Sequence, residues 1–463
     1  MITFADSSPY SRRSFLQVGS LGLGGLSLSQ LMGWRASAAK AGIPLKNKSV
    51  VFLFMHGGPP QQETFDPKME APAEIRSSTG EVKTTIPGVT FGGTFEKLAE
   101  RARRLAIVRS YTTGNGNHDI KPIVGKDSLG ANIGSLYARV AGANVPATGM
   151  PRNVALFPRA IDAGSQERVK QFGNFLAHGT VGSSCAPFAP GSTKNDLQGD
   201  MTMWMSRQRL EDRMYLLDKI DGLKRALDHG AADGLGELQK QAVNMITGGI
   251  SEAFDLSKED PLTIARYDTA ALINPNSISK SWNNHRNYRD HGQTLGKLML
   301  LARRLCERGA GFVTVTTNFV WDFHSDKNNA GAAEGMDYCG IPFDHAVSAF
   351  LDDLEDRGLS DQILLVCCGE MGRTPKLQKN GGRNHWGRLA PLMLAGGGLR
   401  MGQVIGESSP DAGEPASNPV TNENLIGTIL HTLLDVGEVR LMENLPRDVH
   451  QLVTTAPTIK GLG

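Results

Sequence analysis

Phe343-Asp344-His345-Ala346-Val347, running on to Arg357-Gly358, and then Ile363-Leu364-Leu365-Val366-Cys367-Cys368-Gly369-Glu370-Met371-Gly372-Arg373-Thr374-Pro375, is the stretch that decides the fold. Its first half sets Phe343, Ala346, Val347, Phe350, Leu351 and Leu354 on one side of a helix over 343–357, and Gly358 can end that helix. Its second half is an unbroken apolar run, as in a strand buried on both faces. Gly311 to Thr316 reads as a strand before the helix, and Pro391 to Ala395 as a strand after it. Strand, helix and strand with short links form a βαβ unit, which implies a parallel sheet.

The same pattern extends outward. Ser49 to Met55 is a second continuous apolar run, stopped by the turn cluster His56-Gly57-Gly58-Pro59-Pro60. Thr94 to Arg104 has helical spacing. Leu105 to Val108 is a short strand that runs into the polar, glycine-rich loop Ser110 to Asp119. Ser135 to Val140 reads as helix and Val154 to Phe157 as strand. From about 191 to 301 the pattern is helical and polar, with Leu210, Met214, Leu217, Ile220 and Leu223 at helical intervals. The expected fold class is therefore α/β: a mainly parallel sheet between helices, with a helical insertion or cap over about 191–301. The 54 glycines suit such a fold, with its many strand-to-helix turns.

The chain opens differently. Ser11-Arg12-Arg13-Ser14-Phe15-Leu16 sets two arginines before an apolar stretch to Met32, diluted by glycine and serine. Ala36-Ser37-Ala38 follows as a small-x-small cleavage pattern. The order resembles a twin-arginine signal peptide over 1–38, cut before Ala39; the alternative is an uncleaved anchor. The expected location is periplasmic or otherwise exported. The expected partner is the twin-arginine translocation machinery, with no stable membrane span after cleavage. About 420 residues remain as the mature domain 39–463, enough for a large core. The net charge of +2, without long blocks of one sign, does not suggest nucleic acid as a partner. Five cysteines without a C-x-x-C pair exclude a dense disulfide framework and leave room for one bridge.

The candidate chemistry lies where strands end. In parallel sheets the functional loops gather at the carboxyl ends of strands. Asp322 and His324, two apart after a strand, offer a carboxylate and an imidazole, a pair that suits a metal or a hydrogen-bonded loop. Glu370 ends the most apolar strand and needs a partner there; Arg373 is the near candidate. His385 follows in Gly382-Arg383-Asn384-His385-Trp386. His56, His118 and Asp119 lie on the other two loops. Lys121 and Lys126 are candidate holders of an anion, or plain surface lysines. His285 and His291, beside Arg286, Arg289 and Asp290, read as a polar helix face.

At these residues the chain resembles known families. The helix–strand unit from Phe343 to Glu370 is similar to that of sulfatases and alkaline phosphatases. Several stretches resemble the exported bacterial family called domain of unknown function 1501: His56-Gly57-Gly58-Pro59 with Thr64 to Lys68, Trp321 to His324, Gly369 to Pro375, Gly382 to Trp386, and Ala395 to Gly406. The resemblance implies an alkaline-phosphatase-like core and a divalent metal ion (zinc, manganese, calcium or magnesium), with Asp322, His324, Glu370 and His385 as ligands and Asp66 and His118 nearby. Where that superfamily carries Asp-His, this chain has Glu370-Met371, and His385 is the candidate replacement. No hydroxyl stands in a nucleophile context; Thr64, Ser110 and Thr113 are only neighbours.

The resulting expectation is a metal-dependent hydrolase of phosphate or sulfate esters. Arg373 or a lysine would stabilise developing charge, and His118 would take part in catalysis. The substrate would be an anionic ester, with polysaccharides as a further option. The alternative is a non-catalytic binding or assembly protein on a degenerate version of the fold.

Overall fold

The computed structural model describes residues 44–191 and 250–463. Its strands are β1 (Ser49–Phe54), β2 (Glu81–Lys83), β3 (Thr90–Gly92), β4 (Leu105–Val108), β5 (Asn153–Leu156), β6 (Phe312–Val315), β7 (Ile363–Cys368), β8 (Gly372–Arg373), β9 (His385–Trp386), β10 (Leu392–Gly396) and β11 (Gln403–Ile405). Seven of them form one sheet in the order β11-β4-β10-β7-β1-β6-β5. β1 pairs in parallel with both β6 and β7, β5 with β6, and β11 with β4, whereas β10 runs antiparallel to β4 and β7. The expected α/β class with a mainly parallel sheet is what the chain adopts, with β10 as the one reversed strand of the seven.

The apolar runs explain the sandwich. In β1, Val50, Phe52 and Phe54 join a core with helices α1 (Ile133–Ala141) and α4 (Asn422–Leu433). Val51 and Leu53 join the opposite core, with α2 (His285–Glu307) and α3 (Ala332–Asp356). Side chains alternate along a strand, so a strand covered on both faces is apolar at every position. The same split divides Leu364 and Val366 from Ile363 and Leu365 in β7.

Two helices differ from expectation. α3 begins well before Phe343 and carries Pro342 inside it; the proline and its glycine-rich approach conceal the first turns in the sequence. α2 is the end of the expected helical insertion, and it packs on the sheet beside α3 with His291 and Asp290 buried. The reading of a polar face holds for His285, Arg286 and Arg289, which reach the surface, and is corrected for Asp290 and His291. His291 Nδ1 meets the Thr317 hydroxyl at 2.6 Å, and Nε2 meets the Cys339 carbonyl at 3.1 Å. Leu210 to Leu223 and the signal segment lie outside the described residues. All five cysteines are buried and free. Among the described residues no helix is long and apolar enough to cross a membrane.

Candidate metal centre

The ends of β1, β4, β6 and β7 point to one edge of the sheet, and their loops meet there. After β1, Gly57 (φ +118°) passes so close to the next loop that a Cβ would lie 2.6 Å from the Asp322 nitrogen. The His56 carbonyl accepts hydrogen bonds from the Val320 and Trp321 amides, at 3.1 and 3.0 Å. This contact fixes the segment after β6. There the His324 amide turns back to the Asp322 carbonyl, at 2.9 Å, so the two side chains face each other. His385 is set by the short β8–β9 ladder, in which it pairs with Arg373. His118 comes from the polar loop after β4, which is tied to the β9 region by Gly114 N–H to Gly387 carbonyl and by Gly116 against the His385 Cβ.

These segments bring together one ligand atom each from His118, Asp322, His324 and His385, all within 4.8 Å of one another. Asp322 Oδ1 lies 3.0 Å from His324 Nε2, 3.4 Å from His385 Nε2 and 3.5 Å from His118 Nε2. The two imidazoles of His324 and His385 approach Nε2 to Nε2 at 2.7 Å. A tetrahedral ion with metal–ligand bonds of about 2.0–2.1 Å spaces its donors by roughly 3.3 Å. Of the six separations among four donors, the three from Asp322 lie near that edge, the one between His324 and His385 is shorter, and the other two are at most 4.8 Å. Burial pushes the His118 imidazole down to about 4, so a proton does not supply positive charge there at neutral pH. Converging lone pairs and a carboxylate make a donor set that fits a cation.

Glu370 stands behind this group. It is wholly buried, its Oε1 accepting from Gly57 N–H at 2.9 Å and meeting His118 Nδ1 at 3.0 Å. Burial raises its carboxyl above the ordinary value, against the pull of His56, the Gly57 amide and Arg373. It is not one of the four converging donors, and His118 holds the position expected for it. Arg373 is not its ion-pair partner. The guanidinium turns instead to Asp322 Oδ1, at 2.5 Å. Burial alone would raise the Asp322 carboxyl, but Arg373 and hydrogen bonds from His324 and His385 outweigh it and hold the group well below the carboxylate range.

Arg373 is fully buried: Nε donates to the Gly58 carbonyl, Nη1 to the Arg383 carbonyl, and Nη2 to the Gly57 and Trp321 carbonyls and Asp322, while Nη1 also lies 3.3 Å from His324 Nε2. Arg373, expected from the sequence to stabilise charge on a transferred group, thus stands at the centre, held by Asp322 and backbone carbonyls.

The remaining candidates lie around this centre. Asp66 is buried against Ser408, Lys68 and Arg109. The Thr64 hydroxyl donates to the Pro60 carbonyl, and the Ser110 and Thr113 hydroxyls are buried without hydrogen-bond partners among the described residues. Lys121 pairs with Asp119, and Lys126 is exposed. Sequence reasoning missed Phe172 and Phe319, whose rings lie 4.9 and 4.6 Å from the His118 ring and stack on each other at 4.7 Å. No local pattern marks them.

No curated protein matches the sequence. Among solved structures, the chain is similar to the PsFucS1 sulfatase from Pseudoalteromonas sp., at 11% identity and a TM-score of 0.37, covering 88% of this chain and 72% of that one. It is also similar to the phosphonate monoester hydrolase of Silicibacter pomeroyi, at 13% identity and a TM-score of 0.28, covering 83% and 73%. The corresponding enzyme of Agrobacterium radiobacter gives 11% identity, a TM-score of 0.28 and coverage of 84% and 74%. A family model described as a protein of unknown function, DUF1501, matches residues 47–450. The chain belongs to the DUF1501 family.

Proposed function

We propose that this protein is an exported, metal-dependent hydrolase of phosphate or sulfate esters. The observation that carries the reading is the convergence of His118, Asp322, His324 and His385 at the carboxyl edge of the sheet. Three imidazoles and one carboxylate suit zinc or manganese better than calcium or magnesium, which favour all-oxygen sites. A divalent ion held there supplies a Lewis acid that polarises an ester oxygen and makes a bound water acidic.

The chain's own groups do the rest. Asp322 and Glu370 carry two negative charges against the one positive charge of Arg373. A divalent ion turns that single negative charge into a single positive one, which favours an anionic substrate. Phe172 and Phe319 cover one side of His118 and keep water from its ring. Glu370 Oε1 lies 3.0 Å from His118 Nδ1. Thr64, the hydroxyl nearest the β1 turn, is committed to Pro60, which favours attack by water over a covalent intermediate. For export, the reading rests on Arg12-Arg13 and Ala36-Ser37-Ala38, with 1–38 removed by the twin-arginine route and about 191–301 serving as an insertion on the mature domain 39–463.

The test is elemental analysis of the folded chain from Ala39 onward after incubation with zinc or manganese, beside Asp322→Ala and His385→Ala. Bound metal lost in both variants, followed by turnover in a screen of phosphate and sulfate esters, is the expected result. A chain that takes up neither metal overturns the reading and favours a binding or assembly protein. Replacing Arg12 and Arg13 by lysine should stop export, and N-terminal sequencing of the exported product should begin at Ala39.

A further inference from the structure

We propose that Glu370 acts on the metal centre as a positioning residue: by accepting a hydrogen bond from His118 Nδ1–H it fixes the tautomer that leaves Nε2 free to bind. The inference rests on reading the four-residue cluster as a metal site.

The geometry is specific. The two oxygens of Glu370 lie 2.9 and 3.2 Å from the Gly57 amide, so the carboxylate is held from behind by backbone. Its Oε1 then faces His118 Nδ1 at 3.0 Å. A carboxylate only accepts, so the proton sits on Nδ1 and Nε2 presents a lone pair. That lone pair is 3.5 Å from Asp322 Oδ1 and faces the other donors. The imidazole cannot turn over to exchange its nitrogens freely, because Phe172, Phe319 and His385 pack on it at ring distances of 4.9, 4.6 and 4.1 Å. Among the three imidazoles of the cluster, His118 is the one whose far nitrogen meets a carboxylate in the described residues. Histidine ligands in general donate their other ring N–H to such a group, and its loss weakens binding about 10- to 100-fold.

Glu370→Leu separates this role from that of a ligand. Oε1 is the oxygen that takes both Gly57 N–H and His118 Nδ1, so leucine removes that acceptor, whereas the amide oxygen of Glu370→Gln can stay in its place and keep both contacts. Without the acceptor the neutral ring falls back on the Nε2–H form, and the lone pair is lost. Nitrogen-15 NMR of the metal-free chain should show His118 protonated on Nδ1 in the wild type and in Glu370→Gln, and on Nε2 in Glu370→Leu. Zinc affinity, measured by chelator competition, should fall 10- to 100-fold in Glu370→Leu. The double variant with His118→Ala should bind no more weakly than His118→Ala alone, because Glu370 acts only through that ring.

Additive losses in the double variant would make Glu370 a ligand and overturn the proposal. So would an Nε2–H tautomer in the wild type, a measurement that stands even if Glu370→Leu does not fold. If the wild type shows Nδ1–H but takes up no zinc, the metal reading fails while the tautomer assignment survives.

Discussion

Replacing Glu63 by glutamine should cost about 3–5 kcal/mol of stability, the range for breaking a buried ion pair from one side. Glu63 and Arg383 are both fully buried and pair at 3.1 Å. Glu63 also accepts from the Ser77 hydroxyl at 2.8 Å and the Ser78 amide at 2.9 Å. Arg383 donates to the Ile75, Arg76 and Pro375 carbonyls. The pair therefore pins two irregular segments, 75–79 and 374–384, to the loop after β1. Glutamine removes the charge, leaves the guanidinium buried without its counter-ion, and sets an amide donor among other donors. Arg383→Met in the same chain removes the stranded charge, so the double variant should recover about 1–3 kcal/mol relative to additive losses. Urea unfolding, with the slope checked for constancy, gives the free energies. Hydrogen exchange at the Ser78 and Thr79 amides reports the local opening. The arm from 374 to 384 leads to His385, so zinc affinity should fall in parallel. A loss below about 1 kcal/mol, in the range of ordinary surface changes, or strict additivity would refute the reasoning.

Gly57→Ala should displace the Trp321–Asp322 segment, because the new Cβ would lie 2.6 Å from the Asp322 nitrogen at a backbone angle of +118°; a stability loss of more than about 1 kcal/mol and weaker zinc binding are expected, and unchanged binding would count against this contact. His291, pushed down to about 4 by burial, stays neutral in the folded chain while the unfolded chain takes up a proton near 6.5. Its contribution is therefore intact above pH 6.5 and is lost as pH falls toward 4, amounting to about 3 kcal/mol. The stability difference between the wild type and His291→Gln should narrow by that amount over this range, and a flat difference refutes it. The five thiols, all buried, should be unreactive toward a thiol reagent in the native chain and all five titratable on unfolding.

The sheet was legible because its central strands are covered on both faces, so Val50 to Phe54 and Ile363 to Cys368 are apolar without a break. The loops that carry chemistry were legible from the same strands, since each candidate follows a strand end. The roles were less so. A carboxylate at the end of a buried strand needs a partner, but the sequence reads alike whether that partner is a metal, Arg373 or the Gly57 amide. Only the approach of the β1 turn, more than three hundred residues away in sequence, separates them. His291 was misread because its neighbours Arg289 and Asp290 are charged, while its own contacts, Thr317 and Cys339, come from other elements. His118 sits in a loop with no periodicity, and nothing local shows that Gly116 brings the loop against His385.

Arg373 also bears on how many ions the centre holds. Paired-metal sites hold two ions about 3.5–4 Å apart, and two such charges side by side call for carboxylates to balance them. Here Asp322 Oδ1 is shared with Arg373, and Oδ2 accepts from Asn329 Nδ2 at 2.9 Å. Both Glu370 oxygens face the Gly57 amide. Each carboxylate oxygen of the centre thus already takes a hydrogen bond, and the guanidinium supplies a fixed positive charge at Asp322 and His324, which disfavours a second divalent ion beside the first. Elemental analysis of the loaded chain should therefore read one ion per chain at saturating zinc. Two ions per chain, both lost in Asp322→Ala, would show that Arg373 gives way on loading and that its present place is not the working one.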